Sequence, residues 1–526
     1  MLISDEEFIA IVVAATGHSD LNRISTNHSP EIFSRPRYFH LPGWASGLRE
    51  MLNGLAELEF SPQRASPLQK VCDAGSQYGL KALEKTVPSE FVSLLRPKAK
   101  RRIKDDLRRI LARVTRSCFA LEFNAFRCAY EAIYSQKVFS TPALIEKKFL
   151  GERPYYRLIS LFKKFPVLAE LWSQLICQWC DSVSELLARV EGDKQRVSRV
   201  FFRGKPIEKI IDLRAGLSDP HNRGRTVMRV QFQAGSIIYK PRSGQGEQEW
   251  FRLVRYLNAA SFRPKLTAAR VLSRDGYCWM EEVKFAPCKD QAAARRFYTR
   301  LGGMIAAAYL LKAVDCHRDN VIASGEHPVL VDAETLWHVV AGEKKTKSLL
   351  DPLYETGFLP RSGRRSSYQY RSSALGRTPP GKHTPCIAAR PLRAARYEIE
   401  IVNGFRRAWR CLLGTRARAA AFGRRLQRLR GREGRRIYWP TGDYDAIMLA
   451  SIQPAALRSE VDRNVLIARL CGRSAVAQTV IREEINALKR LDIPYFIRRA
   501  TAGSSLPEDN AAPAEIIEAL RRAVHL

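Results

Sequence analysis

The sequence predicts an α+β protein in three parts: a mainly helical region at 1–196, a small β-rich lobe at 197–285 and a larger helical lobe at 286–526. Three observations carry this. The segment "LIEKKFLGERPYYRLISLFKKFPVLAELWSQLICQWCDSVSELLARV" repeats apolar residues at three- and four-residue steps, the period of amphipathic helices. From about Val197 the pattern turns to β-rich runs, "TVMRVQF", "SIIYKPR" and "YCWMEEV", bracketed by Gly224 and by Ala234–Gly235, with the helical "EQEWFRLVRYLNAAS" among them. After Val283 helical periodicity returns.

At 526 residues the chain is too long for one compact core, and ~100–200 residues per domain predicts two or three units. A hydrophobic share of 45% and a charged share of 27% are those of a soluble globular protein. The net charge of +34, from 87 Lys plus Arg against 53 Asp plus Glu, is not ordinary. It implies attraction to polyanions: nucleic acid, an acidic membrane face, an acidic peptide or phosphorylated ligands. The plain alternative is an Arg-rich composition spread over the surface. Aromatic residues are not interleaved with the Arg runs, so nucleic acid is not the expected partner.

Eleven cysteines, scattered without repeated spacing, argue against a disulfide framework. Cys177 and Cys180 in "LICQWCDSV" have the spacing of a metal or redox pair, but they sit in a helical apolar pattern with no second pair nearby, so buried helix cysteines are expected. The N-terminal "MLISDEEFIAIVVAATG" places acids where a signal peptide needs positive charge, and no apolar run reaches the ~18–20 residues of a membrane span. A cytoplasmic protein is expected.

Within the helical parts, "RPKAKRRIKDDLRR" (Arg96–Arg109) reads as a basic helix with a solvated face, or as a contact for an acidic partner. "AAARRFYTRLGGMIAAAYLLKAV" reads as a long buried helix. Residues 344–394, rich in Ser, Arg, Gly and Pro, read as an irregular loop. Helices resume with "YEIEIVNGFRRAWRCLL", "ARAAAFGRRLQRLRG" and "RNVLIARL", and "LDIPYF" ends the last of them at Pro494.

The chemistry concentrates in "DCHRDNVIASGEHPVLVDAE", which runs from Asp315 to Glu334 directly after the buried helix. "VIA" and "VLV" are short β runs joined by "SGEHP", a hairpin signal that places Asn320 beside Asp332. An Asn and an Asp so placed can share Mg²⁺ through oxygen ligands, the remaining positions going to water and nucleotide phosphates. Asp315, with His317, stands in the preceding loop, where a carboxylate can orient or deprotonate a hydroxyl. Loop acid, metal-binding Asn, hairpin and metal-binding Asp follow one another as in kinases. Lys240, at the end of the apolar strand "SIIYKPR", supplies the phosphate-holding lysine, and "SDPHNRGRTV" puts Asp219, His221 and Gly224 in a turn before a strand, where a phosphate-covering loop lies. Read singly, each piece has a bland counterpart, an edge-strand lysine or a solvated hairpin. Their order along the chain favours the site. Because Asp315 precedes His317, the loop resembles the "DRHxxN" loop of phosphoinositide lipid kinases rather than that of protein kinases.

The stretches "SDPHNRGRTV", "AGSIIYKPRS", "DCHRDNVIASGEHPVLVDAETLWH", "ETGFLP" and "LDIPYF" occur in the order seen in class II lanthipeptide synthetases (LanM). The chain from about residue 120 to about 500 resembles their dehydratase domain. That resemblance implies a lipid-kinase-like bilobal core, ATP and Mg²⁺ as cofactors, and a ribosomal precursor peptide, leader plus Ser/Thr-containing core, as partner. It implies phosphorylation of Ser or Thr and then elimination of phosphate to dehydroalanine or dehydrobutyrine. By position Lys240, Asp315, His317, Asn320 and Asp332 match the phosphorylation residues, with Asn320, Asp332 and Glu334 at the metal. Asp219 and His221 match the pair linked with elimination, and Arg435 and Thr441 in "RRIYWPTGDY" match the Arg and Thr that assist phosphate departure.

Two departures stand out. Trp439 occupies the place where the family often carries a second Arg, and the Cys/His zinc set of the family's cyclase domain has no counterpart, Cys471 being the last cysteine. A dehydratase without cyclase activity is therefore expected, leaving three cases: a separate cyclase as a further partner, a stand-alone dehydratase, or a truncated remnant. The alternatives are a peptide or small-molecule kinase without elimination, and a catalytically dead binding protein for acidic peptide or nucleic acid.

Overall fold

The computed structural model describes residues 4–16, 43–56, 66–134, 141–151, 154–336, 348–360, 373–375, 381, 383–471, 477–500 and 511–525. The chain is mixed α and β, mostly helical, and its strands pair antiparallel. It divides into two compact units. The first comprises Met1–Ser198, Lys205–Gly235 and Trp439–Pro494; the second comprises Arg199–Gly204, Ser236–Tyr438 and Tyr495–Leu526.

The first unit is built on the helices Pro67–Thr86, Pro97–Tyr134 and Pro166–Phe201. Each starts on proline, whose missing N–H costs nothing in a first turn. Ser66 adds a capping box with Gln69. Trp172 is wholly buried and donates from Nε1 to Thr115 Oγ1 at 2.9 Å, which ties two of these helices together. The basic face of Pro97–Tyr134 is largely exposed, as the sequence suggests, and part of its charge is spent within the chain. Lys98 and Arg102 lie 3.4 and 3.6 Å from the buried carboxylate of Asp212. Asp212 belongs to Ile210–Arg214, which pairs with Met228–Phe232. Farther along, the helices Thr441–Ser451, Glu460–Cys471 and Gln478–Lys489 surround a small apolar cluster of Tyr444, Met448, Ile467, Leu488 and Ile493, with Trp439 packed against it.

In the second unit the strand ending at Lys240 pairs with Tyr277–Glu281, which pairs in turn with Val271–Arg274. The helix Gln245–Ala259 follows the first of these strands. The helix Gln291–Leu310 is buried almost throughout, as its composition predicts. It crosses the helix Glu398–Leu413 at backbone contact: a Cβ at Gly302 would fall 1.9 Å from the Ile401 carbonyl oxygen, and one at Gly404 1.9 Å from that of Thr299. The hairpin of Val321–Ser324 and His327–Leu330 turns at Gly325, whose φ is 62°. Arg300 grips this turn, donating to the Glu326 carbonyl and carboxylate at 2.7 and 2.8 Å. The strands Glu433–Arg436 and Phe496–Arg499 form a second ribbon.

Two expectations need adjustment. The stretch 344–394 holds a short helix, Asp351–Glu355, and two-residue strands at Cys386–Ile387 and Arg390–Pro391; its remaining parts lie partly outside the described residues. All eleven cysteines are free, but Cys177 is exposed and Cys180 half-buried, because this face of their helix is not fully covered. Among the described residues no helix is long and apolar enough to cross a membrane.

Candidate active site

The second unit gathers Lys240, Asp332, Glu334 and Arg435 into one buried network, through two residues that the sequence motifs did not single out, Arg242 and Glu247. Lys240 Nζ lies 2.8 Å from Glu247 Oε1 and 3.7 Å from Asp332 Oδ1, and donates to the Val331 carbonyl at 2.6 Å. Arg242 donates from Nη2 to Glu247 Oε1 at 2.6 Å and pairs with Asp332. Its Nε lies 2.6 Å from Glu334 Oε2. Arg435 donates from Nη1 to Glu334 Oε1 at 2.8 Å, and its own backbone N–H reaches the Glu334 carbonyl at 2.7 Å. Tyr495 closes the far side: its hydroxyl donates to Glu334 Oε2 at 3.2 Å and its ring lies under the Arg435 guanidinium.

Local structure explains the gathering. Lys240 ends its strand and Arg242 stands two residues on, in the bend before the next helix, from where both reach Glu247 Oε1. Glu247 stands in the first turn of the following helix, where a carboxylate is favoured by the helix dipole. That turn lies directly on the backbone after the hairpin, since a Cβ at Gly246 would fall 2.1 Å from the Ala333 carbonyl oxygen. Only glycine admits this approach.

Three cations thus face three carboxylates. Burial works against each charge, but the pairs outweigh it for most. Burial opposes the Lys240 ammonium, yet Asp332 and Glu247 hold its pKa above the ordinary lysine value. Burial opposes Glu247 likewise, and Arg242 with Lys240 pulls it down to about 2. Asp332 is the exception: burial raises it, against Arg242 and Lys240.

Asp315, His317 and Asn320 adjoin this network in the loop before the hairpin. The loop is pinned from two sides. Thr335 Oγ1 donates to the Val314 carbonyl, and the Cys316 N–H donates to the Thr356 carbonyl at 2.7 Å. Thr356 belongs to "ETGFLP", so that motif buttresses the loop. Asp315 has a φ of 60°, a left-handed conformation uncommon outside glycine, Asn and Asp. His317 Nδ1 accepts from the Asp319 N–H at 3.1 Å, which leaves Nε2 as the protonated nitrogen, 3.4 Å from Asp315 Oδ1. Burial pushes the Asp315 carboxyl up to about 6, opposed by His317 and Arg435. A carboxyl of that pKa can take a proton near neutrality.

Asn320 donates from Nδ2 to the Asp315 carbonyl at 2.7 Å, and its backbone carbonyl accepts from the Val331 N–H at 2.8 Å, one residue from Asp332. With Nδ2 committed, the amide oxygen is the atom available to a cation. Asn320 and Asp332 are thus hard oxygen donors at the two ends of one hairpin, a set that fits Mg²⁺ completed by water and phosphates. Among the described residues no group of three or more His, Cys, Asp or Glu is placed to hold a metal.

Asp219, His221 and Thr441 belong to the first unit. The turn bearing Asp219 and His221 is strapped to "LDIPYF". His221 Nδ1 donates to the Ile493 carbonyl at 2.7 Å, making Nε2 the basic nitrogen of the neutral ring. The Ile493 N–H donates to the Pro220 carbonyl at 2.8 Å. Buried Asp492 accepts from the Arg223 and Gly224 N–H groups at 2.6 and 2.7 Å. Thr441 is the first residue of its helix. Asp492, like Arg242 and Glu247, was missed by sequence reasoning; its signal was an acid inside "LDIPYF", two residues before the helix-ending proline.

The family profile described as "Domain of unknown function (DUF4135)" matches residues 165–386 and 377–499. The chain belongs to this family. The DUF4135 match contains every site residue named above. Over 220 residues the chain is 25% identical to a lacticin 481/lactococcin biosynthesis protein of Lactococcus lactis subsp. lactis. That alignment covers 38% of this chain and 23% of the relative, so the chain matches about a quarter of the relative's length.

Proposed function

We propose that this DUF4135 protein is a lanthipeptide dehydratase with a lipid-kinase-like core, which phosphorylates Ser or Thr of a ribosomal precursor peptide from ATP and then eliminates the phosphate. The observation that carries the reading is the Lys240–Glu247 pair at 2.8 Å, set against the hairpin acid Asp332. Kinases need a strand lysine paired with a helix glutamate, and a metal-binding Asp beside it. The partial identity to a lacticin 481/lactococcin biosynthesis protein supports a peptide as substrate.

In the first step Asp315 takes the proton of the substrate hydroxyl. The oxygen bonds to the γ-phosphorus of ATP while the β–γ bridging bond breaks and ADP leaves. Lys240 holds the nucleotide phosphates and His317 orients Asp315. Asn320, Asp332 and Glu334 would hold Mg²⁺, which neutralises phosphate charge when bound. In the second step a base removes the substrate Cα proton, the electron pair forms the Cα–Cβ double bond, and the Cβ–O bond breaks to release phosphate. Asp219 and His221 serve the proton transfers. Arg435 and Thr441 serve the departing phosphate. Arg435 suits this because its Nε is buried with no acceptor among the described residues. The +34 charge suits an acidic leader segment, for which the N-terminal helices are the proposed holder.

A kinase that stops at the phosphopeptide is the second reading. Trp439 favours it, since it packs on the Tyr444–Met448 cluster where the resembling family often has a cation. Incubation with ATP, Mg²⁺ and a Ser/Thr-containing precursor, followed by mass spectrometry, separates the two. The dehydratase lowers the peptide mass by one water per modified residue. The kinase raises it by one phosphoryl group, and an unchanged mass refutes both.

A further inference from the structure

Residues 416–432 read "RARAAAFGRRLQRLRGR", seven arginines with neither a lysine nor an acid. The helix Arg416–Gln427 carries them in its last turn and, against the helix dipole, in its first. Its apolar side is used up inside the second unit: Phe422 and Leu429 are buried in that core, and Leu426 packs against it. The arginines are therefore turned outward, and Arg416, Arg424, Arg428 and Arg430 are exposed. Among the described residues none of these four meets a carboxylate, whereas Arg432 Nε lies 3.9 Å from Glu249. The ribbon adds exposed Arg499 to the same surface: the Gly431 N–H donates to the Ala500 carbonyl at 2.9 Å, and the Ala500 N–H to the Arg432 carbonyl at 2.8 Å. The other basic helix, Pro97–Tyr134, is the contrast. Its Lys98 and Arg102 face Asp212, Lys100 lies 2.7 Å from Glu84, and Lys104 lies 3.1 Å from Asp73. There the charge is neutralised within the fold; on 416–432 it is not, and like charges four apart, such as Arg424 and Arg428, repel.

An uncompensated cationic surface asks for an anion. Arginine throughout, without lysine, favours groups that accept two parallel N–H donors, carboxylate or phosphate. A lipid surface is disfavoured because the apolar side of the helix is buried and none of it is left to enter the bilayer. Single-stranded nucleic acid needs exposed rings on which bases stack. Here Phe422 is buried, and the Tyr256 ring is covered by the Arg425 guanidinium at 4.6 Å. The carboxylates of a peptide fit what remains. The helix of 12 residues is ~18 Å long, a length that an extended peptide spans in about five or six residues. From Arg432 the chain runs straight into the strand Glu433–Arg436, whose Arg435 holds Glu334 in the candidate site.

We propose that the arginine surface of residues 416–432 docks an acidic peptide segment of about five or six residues, its carboxylates paired with Arg416, Arg424, Arg428 and Arg430. This contact belongs to the second unit and is separate from the N-terminal helices. That the segment is part of the substrate rests on the dehydratase reading, because the link is the strand shared with Arg435.

The test titrates fluorescein-labelled hexaglutamate against the full chain without nucleotide, followed by fluorescence polarisation. A labelled duplex oligonucleotide and phosphatidylserine vesicles are the competing probes. The wild type should bind hexaglutamate more tightly than either, and the binding should weaken as salt rises. The triple variant Arg424→Gln, Arg428→Gln, Arg430→Gln should melt at the wild-type temperature or above, since no carboxylate is orphaned, and should bind about tenfold more weakly. The triple variant Lys81→Gln, Arg101→Gln, Arg116→Gln removes the same charge from exposed positions of the first unit and should bind within about twofold of wild type. Should the first variant fail to fold, Arg430→Gln alone, outside the helix, carries the test with about a threefold loss. No binding by the wild type, equal losses in the two triple variants, or tighter binding of the oligonucleotide or the vesicles overturns the acidic-peptide surface. If hexaglutamate behaves as expected but ATP and a precursor give neither phosphopeptide nor dehydropeptide, the surface stands and the dehydratase reading falls. If a precursor with an acidic segment is modified with the same KM by wild type and the arginine variant, the surface falls as a substrate contact and the chemistry stands.

Discussion

Arg242 binds Glu334 through its Nε at 2.6 Å, while the same guanidinium holds Glu247 through Nη2, also at 2.6 Å. One side chain therefore couples the first turn of the helix after the lysine strand to the acids after the hairpin. It also pairs with Asp332, the residue proposed for the metal. In this arrangement one arginine contacts all three acids.

Replacing Arg242 by Met leaves Glu247 and Glu334 buried with fewer partners. Removing one member of a buried pair costs about 3–5 kcal/mol. Urea unfolding of Arg242→Met should show a loss of that size, together with loss of phosphopeptide formation. A loss below about 1 kcal/mol, the worth of a surface pair, would mean the network is solvated.

Gly246→Ala puts a methyl 2.1 Å from the Ala333 carbonyl oxygen, so backbone must move on one side. Overpacking of this kind costs about 1–3 kcal/mol. The helix and the hairpin exit should part, stretching Lys240–Glu247. The expected result is a lowered melting temperature and a fall in nucleotide affinity measured by titration with Mg²⁺ present, where an ordinary helix Gly→Ala change would stabilise.

On the proposed function, Asp315 sets the pH dependence of the first step. Its folded pKa, raised to about 6 from an ordinary 3.8, means the base form fills only as pH climbs through about 6. Phosphopeptide formation should rise through that region and then level, and Asp315→Asn should be inactive throughout. The linkage sign is opposite for stability. A carboxyl raised on folding favours the folded state at low pH, and this contribution is lost as pH rises from the ordinary value through about 6. Wild type minus Asp315→Asn stability, measured by urea unfolding at several pH values, should decline over that interval; a flat difference would place Asp315 in solvent.

Asp492 accepts two backbone N–H groups from the turn that bears His221. Asn can accept one of them with its oxygen but meets the other with its NH₂, leaving a buried donor unmet at a cost of about 1–3 kcal/mol. The turn should loosen. Asp492→Asn should then accumulate phosphopeptide in the mass-spectrometric assay, because elimination fails while the first step continues. Equal loss of both steps would detach this turn from elimination.

Periodicity and local chemistry carried much of the reading. The buried helix Gln291–Leu310, the Val321–Leu330 hairpin and the strand ending at Lys240 each announce themselves through nearest-neighbour pattern: an apolar run, a Gly-centred turn, alternation. Hairpin register alone sets Asn320 opposite Val331, one residue from Asp332. Cys177 shows the limit, since a helix pattern names the element but not which of its faces is covered.

What the linear chain determined by itself was which residue types stand at which steps, and so the elements, the hairpin and the candidate acids and lysine. What only the tertiary structure decided was pairing across distance: Glu247 with Lys240, Arg242 with Glu334, and Asp492 with the His221 turn. The reason is physical. Patterns record the burial of one face at a time, whereas an ion pair depends on two backbones approaching, and that approach is fixed by packing such as Gly246 against Ala333, far apart in sequence.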